Sequence, residues 1–287
     1  MKLLTYSFHG RDFVGTLDRE CRNILPIEGY SSMLELIESG IPVGDMAGLV
    51  KYGAGIPLAD VAKRAPIPNP RQEIICLGLN YAAHAEEAAR APGKGYGTAS
   101  NYAVYFGKRA YETIGDGSYI PSHRDITENT LDYETELAVI IGKDAFRVAG
   151  ENAYDYVFGY TVFNDVSARN IQTRHQQYYL GKSLDGFCPL GPWIVTEDEF
   201  KRPPSLGLRT RINGEVRQDS NTDMMIFDIP YIISDLSMGI VLKAGTIIAT
   251  GTPAGVGMGF SPPRYLKTGD VVECEVDGIG VLRNEVL

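Results

Sequence analysis

The segment Asp132–Lys143, DYETELAVIIGK, constrains the fold of this chain more than any other stretch. It is strongly strand-like, and it sets carboxylates into an apolar run. At a strand period of two, Glu134 and Glu136 share one face, while Thr135, Leu137, Val139 and Ile141 take the other and read as core. Two carboxylates one strand-step apart repel each other unless something positive lies between them. Oxygen ligands of this kind suit Mg²⁺, Mn²⁺ or Ca²⁺. On spacing alone a plainer alternative stands beside this one: two exposed glutamates on an edge strand.

A third carboxylate bears on the choice. Asp165 closes another strand-like run, VFGYTVFND, just before a helix expected near Ser167 in SARNIQTRHQQYY. Alone it reads as a helix-cap residue; beside Glu134 and Glu136 it stands where a third ligand is needed. With only four histidines, a His-rich zinc or iron site is not expected, so any metal here leans on carboxylates.

Other motifs offer chemistry. In LNYAAHAEEAAR, His84 and Glu87 are three apart on an expected helix and share a face. A carboxylate-oriented imidazole is a standard water-activating base, although an isolated helical histidine is more often a satisfied surface residue. Gly181-Lys182-Ser183 is no phosphate-binding loop, because Gln176 stands where the opening glycine must be. Lys182 reads either as a buried cation facing an anion or as a solvated loop lysine. Gln172 lies three residues past Arg169 and carries no signal alone. In ATGTPAGVGMG, the backbone around Thr250, Gly251 and Thr252 could cradle a carboxylate, or be a plain turn.

Composition narrows the classes. A net charge of −9 argues against a nucleic-acid surface, which needs a basic patch. No run approaches the ~18 apolar residues of a membrane span. The start, MKLLTYSFHGRDF, is no signal peptide. Cys21, Cys76, Cys188 and Cys274 are scattered, as expected of free thiols in a reducing cytoplasm. Short strands and one helix, SSMLELIESG, precede the proline-rich KRAPIPNPRQ (Lys63–Gln72), predicting a small N-terminal domain over 1–65 and a larger one over 66–287. The class is α+β with β dominating. Residues 91–119, rich in small residues and without a period for most of their length, read either as a lid over the site or as a long surface insertion.

Taken together, GLNYAAHAEE, LDYETELAVIIGK, GYTVFNDVSARNIQ, GKSLDGFCPLGPWIV, INGEVRQDSNTDMMI, ATGTPAGVGMG and LKTGDVVECEVDGIGVLRNEV resemble the fumarylacetoacetate hydrolase family, from Ile74 to the C-terminus. The resemblance is to its short, acylpyruvase-like branch. It implies a mixed β-sandwich roll behind a small variable N-terminal domain, and a homodimer. It places Mg²⁺ or Mn²⁺ (or Ca²⁺) on Glu134, Glu136 and Asp165. It assigns His84 and Glu87 as the water-activating pair, Lys182 and Gln172 to substrate and intermediate, and Thr252, with Gly251, to the substrate carboxylate. Leu79 stands where some acylpyruvases carry arginine, so the resemblance leaves the substrate's distal group unassigned. The expected activity is hydrolysis of a carbon–carbon bond in a small 2,4-dioxo acid through an enolate. The alternatives are oxaloacetate decarboxylation, or isomerisation or decarboxylation of a 2-hydroxy-diene-dioate in aromatic catabolism; a metal-bearing binding protein without catalysis is the rival from another class.

Overall fold

The computed structural model describes residues 1–51, 53, 55–90, 101–175 and 177–287. Among these residues the strand Thr135–Ile141 lies deep inside a large mixed sheet, with all seven residues buried. It pairs antiparallel with Val157–Asn164 on one side and with Ile247–Ala249 on the other. Beyond Ile247–Ala249 the sheet continues through Ile74–Gly78, which runs parallel to it, to Val104–Lys108. In the other direction it continues through Leu190–Thr196 to Lys2–Phe8, Arg11–Leu17, Asn23–Pro26 and Ile56–Pro57. Residues assigned to the N-terminal unit therefore add strands to this same sheet, with Lys2 opposite Val195 and Leu3 opposite Ile194.

A second sheet packs against the first. It runs Glu215–Asn221, Gly207–Ile212, Val271–Val276, Gly280–Val286 and Tyr119–Ile120. The period of two then explains why neither face of Thr135–Ile141 is wet. Leu137, Val139 and Ile141 join Leu208, Val272, Val276 and Leu282 of the second sheet. Ala138 and Ile140 join Phe163 and the apolar face of the helix Met33–Glu38 (Met33, Leu36, Ile37). The edge-strand alternative for Glu134 and Glu136 is overturned: the strand is central, and a layer covers each side.

Local chemistry accounts for several elements. The helix Met33–Glu38 is capped by Ser32, whose hydroxyl accepts from the Glu35 N–H. Asp277–Gly278 lies in the turn joining Val271–Val276 to Gly280–Val286, with Gly278 at φ 78°. The proline-rich stretch after Lys63 is irregular but held down, with Ala65 and Ile67 buried.

One expectation is corrected. The helix after Asp165 does not begin near Ser167: Ser167–Ala168 is a short strand paired with Leu131–Asp132. Helix follows in two pieces, Arg169–Arg174 and Tyr178–Lys182. Part of the stretch 91–119 is regular. Its residues 91–100 lie outside the described residues, but Val104–Lys108 is a strand paired with Ile74–Gly78. No helix of the described residues is long and apolar enough to cross a membrane.

Candidate active site

Sheet register assembles the carboxylates. Thr135 lies opposite Asn164, so Glu134 and Asp165 emerge side by side at the ends of neighbouring strands. The Asp165 N–H donates to the Glu134 carbonyl at 2.8 Å, and the Glu134 N–H to Asn164 Oδ1 at 2.9 Å. Glu136, two residues along, shares the face of Glu134. Glu134, Glu136 and Asp165 are all buried, and one ligand oxygen from each lies within 4.8 Å of the others.

Three buried cations surround them. Lys182 Nζ donates to Glu134 Oε2 at 2.7 Å and to Asp165 Oδ2 at 2.5 Å. Lys108 Nζ donates to Asp165 Oδ1 at 2.6 Å and to the Val166 carbonyl at 2.8 Å. Arg169 Nη2 lies 2.7 Å from Glu134 Oε1, and its Nε donates to Asp132 Oδ2 at 2.9 Å. With Asp132 included, four buried carboxylates thus face three buried cations. A carboxylate in an apolar interior without a matching positive charge is strongly disfavoured.

Glu136 carries the imbalance. Its Oε2 accepts the Gly251 N–H at 2.8 Å, but its buried Oε1 has no hydrogen-bond partner. Burial, then the charges of Asp165 and Glu134, push its carboxyl well above the ordinary range. Burial works the same way on Glu134, but Lys182, Arg169 and His84 outweigh it and hold that carboxyl low. Burial opposes the charge of Lys182, yet Asp165 and Glu134 keep its pKa above that of an ordinary lysine. A divalent cation among the three carboxylates would give Glu136 Oε1 a partner and reverse the local sign. An all-oxygen set suits a hard ion, so the residues present fit a metal of that kind.

His84 arrives from the other side of the sheet end. The strand Ile74–Gly78 stops at Leu79, which sits in the left-handed region at φ 55°. Asn80 fixes this turn: its Nδ2 donates to the Thr250 and Phe227 carbonyls, and its Oδ1 accepts the Phe227 N–H. The helix Ala82–Arg90 starts immediately afterwards and presents the pair on one face. His84 Nδ1 lies 3.0 Å from Glu87 Oε2, and Glu87 Oε1 accepts the Gly255 N–H at 2.9 Å. The loop also makes room for Glu87, because a Cβ on Gly259 would fall 1.9 Å from its Oε1.

These groups meet in one narrow cleft, about 350 Å³ with its mouth included. Its polar lining includes His84, Glu134, Arg169, Gln172, Lys182 and Thr252, and its apolar lining includes Leu77, Leu79, Ala88 and Met258. Gly251, at φ 96°, gives its N–H to Glu136, and a Cβ there would meet that of Asn80 at 2.8 Å. The Thr252 hydroxyl is already engaged, donating to the Thr135 carbonyl and accepting from Gln218 Nε2. Lys108 and Asp132 were not singled out from sequence. Lys108 is the buried end of VYFGK, a strand without inward–outward alternation to mark it, and Asp132 is unmarked too, because its partners Arg169, Gly257 and Met258 lie far along the chain.

Comparison with known proteins identifies the family. Residues 73–287 match the family model described as fumarylacetoacetate (FAA) hydrolase C-terminal. The chain is 46% identical over 229 residues to oxaloacetate tautomerase YisK of Bacillus subtilis (strain 168), covering 80% of this chain and 74% of that protein. It is similar to the solved fumarylacetoacetate hydrolase EaFAH of Exiguobacterium antarcticum, at 40% identity and TM-score 0.85, over 100% of this chain and 99% of that one. It is also similar to maleylpyruvate hydrolase of Sphingobium sp. SYK-6, solved with manganese(II) ion and pyruvate, at 30% identity and TM-score 0.77, with 100% and 99% covered. The chain belongs to the fumarylacetoacetate hydrolase family.

Proposed function

We propose that this family member binds a small 2-oxo acid at the carboxylate cluster and moves a proton at its C3, interconverting keto and enol forms of an oxaloacetate-type substrate. The observation that carries the reading is the His84–Glu87 pair, set in the same cleft as Glu134 and Lys182. Glu87 engages Nδ1, so the lone pair available to take a proton is on Nε2. Enolisation breaks the C3–H bond, and its electrons form C2=C3 while negative charge moves to the 2-oxo oxygen. A divalent cation held by Glu134, Glu136 and Asp165 supplies Lewis-acid stabilisation of such charge. Lys182 adds a fixed positive charge at the same end, and the Gln172 amide donates to the substrate's oxygens. In the ketonising direction the enol O–H proton leaves to solvent, the C2=C3 electrons take a proton from His84 to form C3–H, and His84 is reprotonated from solvent. The enolising direction runs these transfers in reverse. The similarity to an oxaloacetate tautomerase supports this choice.

A second reading is hydrolysis of the C3–C4 bond of an acylpyruvate, with His84 activating water against the C4 carbonyl. The apolar lining of Leu79, Ala88 and Met258 favours it, because an uncharged acyl group would lie there without an unpaired charge. A panel decides: enol-oxaloacetate followed by loss of enol absorbance, oxaloacetate by CO₂ release, and acylpyruvates by pyruvate formation, each with Mg²⁺ or Mn²⁺. Faster turnover of acylpyruvates would select the second reading. Turnover of none would remove both.

A further inference from the structure

A second cavity, about 1540 Å³ with its mouth included, opens between the Asn213–Gly214 hairpin turn, the segment 122–131 and the loop 263–270. It shares no lining residue with the cleft. Four of its lining residues are basic, Arg124, Arg217, Arg264 and Lys267, in a chain whose net charge is −9. Two carboxylates, Glu215 and Asp270, stand against them.

Glu215 serves two guanidinium groups at once. Arg264 takes both of its oxygens, at 2.7 Å each, and leaves Arg217 a longer contact of 3.1 Å to Oε2. The Arg217 side chain is only 9% exposed, and its buried Nε has no hydrogen-bond partner among the described residues. Both guanidinium groups lie over the Phe260 ring, Arg217 at 5.4 Å and Arg264 at 5.1 Å from its centroid, so the pair is fixed in place. Asp270 is occupied by its own loop: it accepts the Lys267 N–H and the Asn213 side-chain amide, both at 2.8 Å. Arg124 donates to Asn129 at 3.0 Å, and among the described residues neither Arg124 nor Lys267 forms an ion pair. A nearly buried cation with half a counterion is under-neutralised, which favours a further anion beside it. Guanidinium forks and a lysine point charge are the donors that suit phosphate oxygens. A single phosphate reaches only some of these groups in so wide a cavity, whereas two linked phosphates spread charge over all four.

We propose that this cavity is a second binding site, separate from the cleft, for a small anion carrying a diphosphate group, held by Arg217, Arg264, Arg124 and Lys267. Calorimetry on the full chain in EDTA, which keeps metal from sequestering the probe, tests it with pyrophosphate and with ADP. Saturable binding of pyrophosphate alone assigns the free anion, and tighter binding of ADP assigns a diphosphate ester. Binding of neither overturns the proposal. Arg124→Ala and Lys267→Ala, both at exposed positions, should each weaken the tighter probe about tenfold, the scale of one charge-assisted hydrogen bond. Glu215→Gln removes the competing carboxylate and should tighten it. Undiminished affinity in the first two variants, or no gain in the third, would overturn the site. Oxalate binding with saturating Mg²⁺ should stay within twofold of the parent in Arg124→Ala and Lys267→Ala. A parallel loss of oxalate would show that the probe had been reading the cleft, and would equally overturn it.

Discussion

Lys108 and Asp165, 57 residues apart in sequence, meet at 2.6 Å in the interior, each with a fully buried side chain. The strand Val104–Lys108 brings the lysine there, and the end of Val157–Asn164 brings the aspartate. Removing the cation would leave Asp165 beside Glu136 with one positive neighbour fewer. Lys108→Met should therefore destabilise the metal-free protein by about 3–5 kcal/mol, the usual cost of breaking a buried pair. Urea unfolding in EDTA and again in excess Mg²⁺ checks this. The loss should shrink with metal, because the added ion takes over part of the neutralisation.

Glu136 gives the opposite sign. Its carboxylate opposes the charges of Asp165 and Glu134, and one oxygen lacks a partner. Glu136→Gln keeps an acceptor for Gly251 while removing the repulsion. The metal-free variant should be at least as stable as the parent. What it should lose is metal stabilisation, which for the parent amounts to about 2.7 kcal/mol at a hundredfold excess over Kd. Thermal melts against Mg²⁺ or Mn²⁺ concentration read both effects, and an unchanged metal response would remove Glu136 from the ligand set.

Gly259 tests the orientation of the base. A Cβ at this position would overlap the Glu87 carboxylate, at 1.9 Å from Oε1 and 2.1 Å from Cδ. Gly259→Ala should push Glu87 off His84 and lower turnover by roughly tenfold to a hundredfold, the low end for impaired general-base catalysis. Metal-induced stabilisation should remain. Parallel kinetics and melts separate the two, and full turnover would show that Glu87 has no part in orienting the imidazole.

The legible part of this site was the part carried on regular elements. A strand period put Glu134 and Glu136 on one face, and helical spacing paired His84 with Glu87, now seen at 3.0 Å. What spacing could not show was burial. Glu134 and Glu136 read as plausibly exposed until the second sheet and the helix Met33–Glu38 were seen to cover the strand on both sides. Partners joined through loops stayed hidden for a related reason. Asp132 is tied to the 257–258 turn, and Asn80 to Thr250 and Phe227, through backbone groups that leave no residue-type signature. Pairing of Ser167–Ala168 with Leu131–Asp132 overrides local helical preference, so the helix after Asp165 starts only at Arg169.

His84 itself separates chemistry from binding. If it moves the proton, His84→Ala should lower turnover by about 10²–10⁴ while oxalate affinity in Mg²⁺ changes little. Stopped-flow turnover alongside calorimetry reads the two. A comparable collapse of oxalate binding would recast His84 as a ligand-holding residue.

Turnover of a 2-oxo acid should depend on a divalent cation held by the buried cluster of Glu134, Glu136 and Asp165. The most direct measurement is the rate of enol-oxaloacetate ketonisation by protein exhaustively treated with EDTA, then titrated with Mg²⁺ or Mn²⁺. Chelation should abolish the enzymatic rate and titration restore it saturably, with no recovery in Asp165→Ala. Ketonisation at the untreated rate in the chelated protein would contradict it.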